Sequence, residues 1–313
     1  MLGFVVRRLA GSLLVLLGLS IVVFMMVRLV PGDTATALLG MQQDEESAAA
    51  LREKYALDQS WPVQYAAWVG QLAQGNLGES ITGSQVSGEL AGAIPVTLEL
   101  AGLSLLFAVI VGPPLGMLAA VWRGKAADGL VSMLSVLGLS VPGFWVGTML
   151  ILIFALWLGV LPSGRYVPLS EGLVANLRHM AMPVFALGLA VAAVLARMTR
   201  ASMLEARGLG HVRTAKAKGL KPKDVTLRHV ARNGLLPVLT IAGLQAGYLL
   251  GGSVVIEAVF SLNGLGTLTL RALGNRDYPL LQATILLIGG VFLLVNLVVD
   301  LAVAAADPRI RLE

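Results

Sequence analysis

Three histidines, His179, His211 and His229, are the side chains best suited to move a proton near neutral pH or to hold a metal. No pair of them has a metal-ligand spacing such as His-Glu-x-x-His, and His211 and His229 lie among basic residues that disfavour a cation. With no cysteine, thiol catalysis, disulfides and Cys-based zinc or iron–sulfur sites are excluded. No Gly-x-x-x-x-Gly-Lys-[Ser/Thr] run is present to cradle phosphates, so the chain is not expected to bind or hydrolyse ATP itself. A Gly-x-Ser-x-Gly elbow is missing too. Two groups of charges remain. The acids Glu99, Glu257 and Asp300 stand at the ends of apolar runs, where interfacial capping or pairing with a nearby Arg is the simplest role. Ten basic residues crowd positions 197–232, opposed only by Glu205 and Asp224.

Composition says what must position these groups. Of 313 residues, 57% are hydrophobic and 13% are charged, about half the charge of an ordinary soluble domain. Mean hydropathy is +0.82. Too few charges remain to clothe a core in water, which excludes a soluble enzyme, a disordered scaffold and a disulfide-stapled module. An all-α polytopic membrane protein is expected. Six charge-free runs can each cross the hydrocarbon layer: Leu9–Val27, Leu100–Trp122, Gly129–Gly164, His179–Ala196, Asn233–Ile256 and Tyr278–Val299. The third holds 36 residues with Pro142 and Pro162 inside it, room for two short helices or for one helix plus a re-entrant or interfacial stretch.

Charge distribution selects the topology. With one crossing in the third run, residues 1–8, 123–128, 197–232 and 300–313 share a side and hold 16 basic residues in 64 positions. The opposite loops, 28–99, 165–178 and 257–277, hold 7 in 107. The positive-inside rule then predicts six transmembrane helices with both termini and the 197–232 loop cytoplasmic. The net charge of +5 is thus a topology marker and requires no nucleic acid. A cleavable leader is the rival for the first span, but its apolar run of 19 residues exceeds the usual signal-peptide core. The expected organisation is 1–30 as N-terminal end and first span, 31–95 as an extracytoplasmic loop region, and 96–313 as a five-helix core. Within the loop region a short helix from Asp44 to Lys54 is expected. A second covers Trp61 to about Leu72, with Trp61, Tyr65 and Trp68 on one face, packing at the membrane interface or against the rest of the loop.

In the basic loop, Leu209, Val212 and Ala215 recur at helical spacing, with Ala217 and Leu220 broadening the apolar face. Gly219 suits a helix C-terminus and Pro222 the first turn of a second helix, running through Val225, Val230 and Leu235 toward Pro237. Such a hairpin fits two roles: lying on anionic lipid, or docking a soluble partner. Charge and periodicity alone favour the hairpin lying on anionic lipid, and composition does not choose between the two.

The wording of the loop carries a resemblance. Arg213-Thr214-Ala215-Lys216-Ala217-Lys218-Gly219-Leu220, followed by Leu227-Arg228-His229-Val230-Ala231-Arg232-Asn233-Gly234-Leu235-Leu236-Pro237, resembles the cytoplasmic loop of type I binding-protein-dependent ABC importer permeases, in the dipeptide, oligopeptide and nickel branch. The general motif has Glu-Ala-Ala, three residues, then Gly; here Arg213 replaces the acid, a departure usual in that branch. Val30-Pro31-Gly32-Asp33, Gly75-Asn76-Leu77-Gly78, Pro95-Val96-Thr97-Leu98-Glu99, Val141-Pro142-Gly143-Phe144-Trp145, Asp277-Tyr278-Pro279 and the tail Asp307-Pro308-Arg309 match in order along the chain.

The resemblance implies a subunit of an importer for di- or oligopeptides in a bacterial or archaeal cytoplasmic membrane. His211, Val212, Arg213, Thr214, Ala215, Lys216, Ala217, Lys218, Gly219 and Leu220 would form the coupling element. Implied partners are a second homologous permease, two ATP-binding subunits that hold ATP and magnesium, and an extracytoplasmic substrate-binding protein. Glu257, Phe260, Gly264 and Gly266, in a Gly-rich external stretch, would border the translocation path. A self-sufficient secondary transporter or channel would favour mid-span charges, which are absent, and an intramembrane enzyme would need a paired catalytic constellation.

Overall fold

The computed structural model describes residues 2–29, 52 and 57–306. The expected Asp44–Lys54 helix (Arg52 apart), the Pro31-Gly32-Asp33 motif and the 307–311 tail lie outside the described residues. Among those residues regular structure is helical, apart from one antiparallel bridge between Glu79 and Gln85. In chain order the helices are α1 (Leu2–Arg28), α2 (Trp61–Ala73), α3 (Val86–Val121), α4 (Ala126–Ser140) and α5 (Gly143–Leu150, continuing π-helically through Ile151–Trp157). Next come α6 (Leu173–Ala206), α7 (Gly210–Ala217) and α8 (Pro222–Asp224, then π-helical Val225–Ala231 and Arg232–Gly234). Last are α9 (Leu236–Val259), α10 (Leu265–Asn275) and α11 (Tyr278–Ala306).

Five stretches are long and apolar enough to cross a membrane: Val6–Arg28, Val86–Val121, Leu173–Ala206, Leu236–Val259 and Tyr278–Leu301. A sixth arises if α4 and α5 form one broken span, bent by 100°. The break falls at Val141-Pro142, where Pro142 is the N-cap of α5 in extended conformation, so the long third run is interrupted at the first of its two prolines. Two helices outrun their apolar runs. The α3 helix starts at Val86, well before Leu100, and α6 continues past Arg197 and Arg200 to Ala206. Charge-free length measures contact with hydrocarbon, whereas helix length is set by backbone hydrogen bonding and caps.

The chain forms two compact units. One comprises residues up to Thr97 together with Asn263–Leu294. Its core joins Val86, Leu90 and Ala93 of α3 to Leu265 and Leu268 of α10 and Leu280 of α11. A second cluster sets Val23 and Phe24 of α1 against Trp68 of α2. The aromatic stripe on α2 therefore packs on α1: Phe24 meets Tyr65 edge-on at 5.3 Å and Trp68 at 5.7 Å. Trp61 is outside that cluster and half exposed. Arg28 donates to Gln64 across the same contact at 2.9 Å, and Gln282 of α11 donates to the Val23 carbonyl of α1 at 2.9 Å.

The other unit comprises Leu98–Leu262 and the chain from Val295 onward, and its centre is α6. The α3 and α6 helices approach closely because Gly112 and Gly116 face backbone: a Cβ on Gly112 would stand 2.6 Å from the Ala192 carbonyl oxygen. Small residues at such a contact let two helices pack without side chains between them. The first side chain added there would force them apart.

Candidate functional site, a basic helical hairpin

The basic hairpin lies wholly in the second unit and is built from its backbone outward. Val212 and Ala215, one helical turn apart on α7, are 0% and 4% exposed. They join Val225, Val230 and Ala231 of α8, Met203 and Ala206 of α6 and Ala120 of α3 in one cluster. Removing a valine side chain from water contributes on the order of 1.5–3 kcal/mol, enough to hold a helix of barely two turns that would not form alone. The α7 C-terminus is closed by a Schellman turn. Gly219, at φ +75°, donates its N–H to the Lys216 carbonyl at 2.9 Å, and Leu220 donates to that of Ala215 at 3.4 Å. Pro222 then opens α8 at its first position, as expected.

Side-chain bonds tie together the helix ends that carry the hairpin. Arg207 donates to the Ala120 carbonyl at 2.7 Å, satisfying a free carbonyl at the α3 C-terminus. Arg200 on α6 grips Asp128 on α4 through two bonds, Nε to Oδ1 at 2.6 Å and a terminal nitrogen to Oδ2 at 2.9 Å. Asp128 also accepts the Gly124 N–H, so the turn between α3 and α4 is tied to α6. Inside the hairpin, Asn233 donates to the His229 carbonyl at 3.0 Å and stands 3.2 Å from Nε2 of His211. His211 therefore links α7 to α8. The ends of α3, α4 and α6 and both hairpin arms form one braced block.

The outward surface departs from one expectation. Ala217 and Leu220 do not extend the buried face; Leu220 is 43% exposed and Ala217 is also exposed. The helix stops at Ala217 and the Schellman turn swings Leu220 away from the core. Leu209 is likewise exposed. Outward too point Arg213, Thr214, Lys216 and Lys218, while Thr214 returns its hydroxyl to the Gly210 carbonyl. The apolar face of α7 is spent on the chain's own core, so a helix lying with that face in lipid is excluded.

The external-stretch residues fall elsewhere. Glu257, Phe260, Gly264 and Gly266 are all buried within the chain, Glu257 at 0% and Phe260 at 1% exposure. Phe260 follows the last residue of α9; its carbonyl accepts the Arg165 N–H at 3.1 Å, and a Cβ on Gly147 would stand 3.0 Å from its ring. Gly264 is the N-cap of α10. Glu99, in the second unit, accepts from the Tyr166 hydroxyl at 2.6 Å and the Asn176 amide at 2.5 Å, both neutral donors. Burial and that carboxylate push the Tyr166 hydroxyl up to about 12. His179 sits 3.0 and 2.9 Å from the carbonyls of Gly164 and Arg165.

A residue without an expected role proves central in the first unit. Asp277 is 2% exposed; it caps α11 by accepting the Leu280 N–H at 3.2 Å, and it also accepts the Ser80 hydroxyl and the Ile81 N–H. It borders a polar cavity of about 300 Å³ with Ser80, Thr82, Glu89, Arg271 and Asn275. Glu89 pairs there with Arg271 and accepts from Ser84. An aspartate just before Tyr278-Pro279 at a helix start is a legible capping signal.

Comparison with known sequences decides the family. Two family models, described as binding-protein-dependent transport system inner membrane component and its N-terminal region, match residues 112–312 and 1–101. The chain belongs to this family of ABC importer permeases. The glutathione transport system permease protein GsiC of Salmonella typhimurium is 40% identical over 312 residues, 99% of each chain. A probable peptide ABC transporter permease of Sinorhizobium fredii, y4tP, is 37% identical, covering 98% of this chain and 99% of its own. In fold, the permease resembles a chain from an inward-facing structure of the MetNI methionine ABC transporter, with a TM-score of 0.57 at 19% identity over 70% of this chain and 96% of that one. It is a multi-pass, inner-membrane transport subunit.

Proposed function

We propose that this permease forms half of the translocation path of an ATP-driven importer for peptides, glutathione-sized tripeptides included, and that α7 with its C-terminal turn is the element that couples it to a separate ATPase subunit. The observation that carries the coupling reading is the orientation of α7: apolar side chains face the core and an exposed strip of Arg213, Lys216, Ala217 and Leu220 faces outward. A projecting, braced helix of this kind transmits a push as a rigid body into α3, α6 and α9, because its own packing leaves it little freedom to deform. Relatives described as glutathione and peptide permeases over nearly full length support the substrate class.

On this reading a second homologous permease completes the path. Two ATPase subunits hold ATP and magnesium, and an external binding protein delivers the peptide. Both termini and the hairpin face the cytoplasm, as the excess of basic residues in those segments favours. ATP binding draws two ATPases together and shifts an inward-open to outward-open equilibrium, through the differential affinity of nucleotide for the two states. The decisive experiment reconstitutes the permease with its cognate ATPase and replaces Ala215-Lys216-Ala217-Lys218-Gly219 with a flexible linker. Loss of ATPase association and of peptide uptake is expected. Retention of both would sink the coupling role, and ion-gradient-driven flux by the permease alone in liposomes would favour a secondary transporter.

A further inference from the structure

We propose that the ATPase surface receiving α7 is a groove with an apolar floor and a rim of carboxylates, so that docking is drawn by opposite charge and seated by Leu220. The inference deepens the coupling reading above and rests on it. Between Leu209 and Arg232 the chain carries seven cations, Arg213, Lys216, Lys218, Lys221, Lys223, Arg228 and Arg232, against the single acid Asp224. All seven are exposed. Asp224 engages Arg228 at 3.9 Å, and among the described residues no ion pair is recorded for the other six. Six like charges gathered on one hairpin repel one another, and nothing within the hairpin neutralises them. A basic or neutral partner surface would bury them uncompensated; an acidic rim relieves the repulsion and adds attraction.

Shape gives the floor. Leu209, the N-cap of α7, and Leu220, just past its Schellman turn, are exposed at the two ends of the helix, and Arg213, Lys216 and Ala217 are exposed between them, while Val212 and Ala215 are buried. The two leucines are 44% and 43% exposed and flank the exposed cations Arg213 and Lys216 along the chain. Apolar spots ringed by charge match the anatomy of a protein interface, in which an apolar centre is sealed by a polar rim. Anionic lipid would satisfy the charges as well, but it has no use for a stiff, turn-locked knob whose apolar face is already buried. A preformed knob gains most from a preformed groove, because neither side loses freedom on binding.

The test uses the permease in lipid nanodiscs with its purified ATPase subunits, following association and permease-stimulated ATP hydrolysis at about 50 mM and about 500 mM NaCl, conditions that shorten the screening length about threefold. The association rate should fall by about tenfold or more at high salt, as electrostatically steered encounters do. R213E with K216E should weaken association at low salt by a similar factor, while R213K with K216R restores it. Leu220→Ala should act chiefly by speeding dissociation. Each side chain is exposed, so thermal unfolding of the variants should match that of the unaltered permease. Association that ignores both salt and charge reversal would overturn the acidic-rim inference and leave the coupling role standing; no association at any salt would overturn the coupling role itself. If salt dependence vanished when anionic lipid was replaced by phosphatidylcholine, with R213E/K216E still coupling, the cations would belong to the membrane and the inference would fail.

Discussion

At the scale of single residues, the permease relies on side chains whose backbone roles outweigh their apparent chemistry. Asp277 is an acid at the end of an apolar run, yet its oxygens are taken by the Leu280 and Ile81 N–H groups and the Ser80 hydroxyl. Replacing it with Ala should destabilise the protein by about 1–3 kcal/mol, since one helix loses its cap and buried donors lose their acceptor. A melting temperature in detergent unchanged from that of the unaltered protein would refute this. Phe260 poses a sharper alternative, because a path-lining role and a packing role predict different readouts. Buried at 1% exposure against Gly147 and Gly164, it should cost about 3–5 kcal/mol on truncation to Ala. A Phe260→Ala variant that keeps its stability but loses uptake would restore the path role.

At the scale of elements, the hairpin shows what could be read from sequence and what could not. Val212 and Ala215 announce a buried face by spacing, and Gly219 and Pro222 announce a stop and a start; each is local information about a few consecutive residues. Ala217 and Leu220 mislead, because counting positions onto one face presumes that the helix continues. Here it ends at Ala217 and Gly219 enters the left-handed region. The braces were beyond reach for a different reason: Arg207 meets a carbonyl 87 residues away and Arg200 an acid 72 residues away, and no local pattern encodes such pairs. Gly219→Ala should cost about 1 kcal/mol, since a Cβ strains the left-handed conformation. The loss should be local. Amide exchange over residues 215–225 should quicken and coupled ATP hydrolysis fall, while the melting temperature of the whole barely moves. Unchanged exchange in that segment would show that the turn does not depend on glycine.

At the scale of the whole molecule, the charge-poor composition points to a membrane as the solvent, and charge placement is the ground for the proposed orientation. Hydropathy finds the spans but overlooks how far α3 and α6 extend, and it cannot tell a broken span from two spans until Pro142 is seen to turn the chain by 100°. If α4 and α5 make one crossing, residues on either side of the pair lie on opposite faces; if they make none or two, the 197–232 loop and its ten cations move outside. The positive-inside bias disfavours that second arrangement. A cysteine introduced at Lys218 should therefore be shielded from a membrane-impermeant thiol reagent in intact cells and label after permeabilisation, whereas one at Gln74 should label in both. The absence of native cysteine makes the assay clean. Labelling at Lys218 in intact cells would reverse the orientation and, with it, remove the hairpin from reach of any ATPase in the cytoplasm.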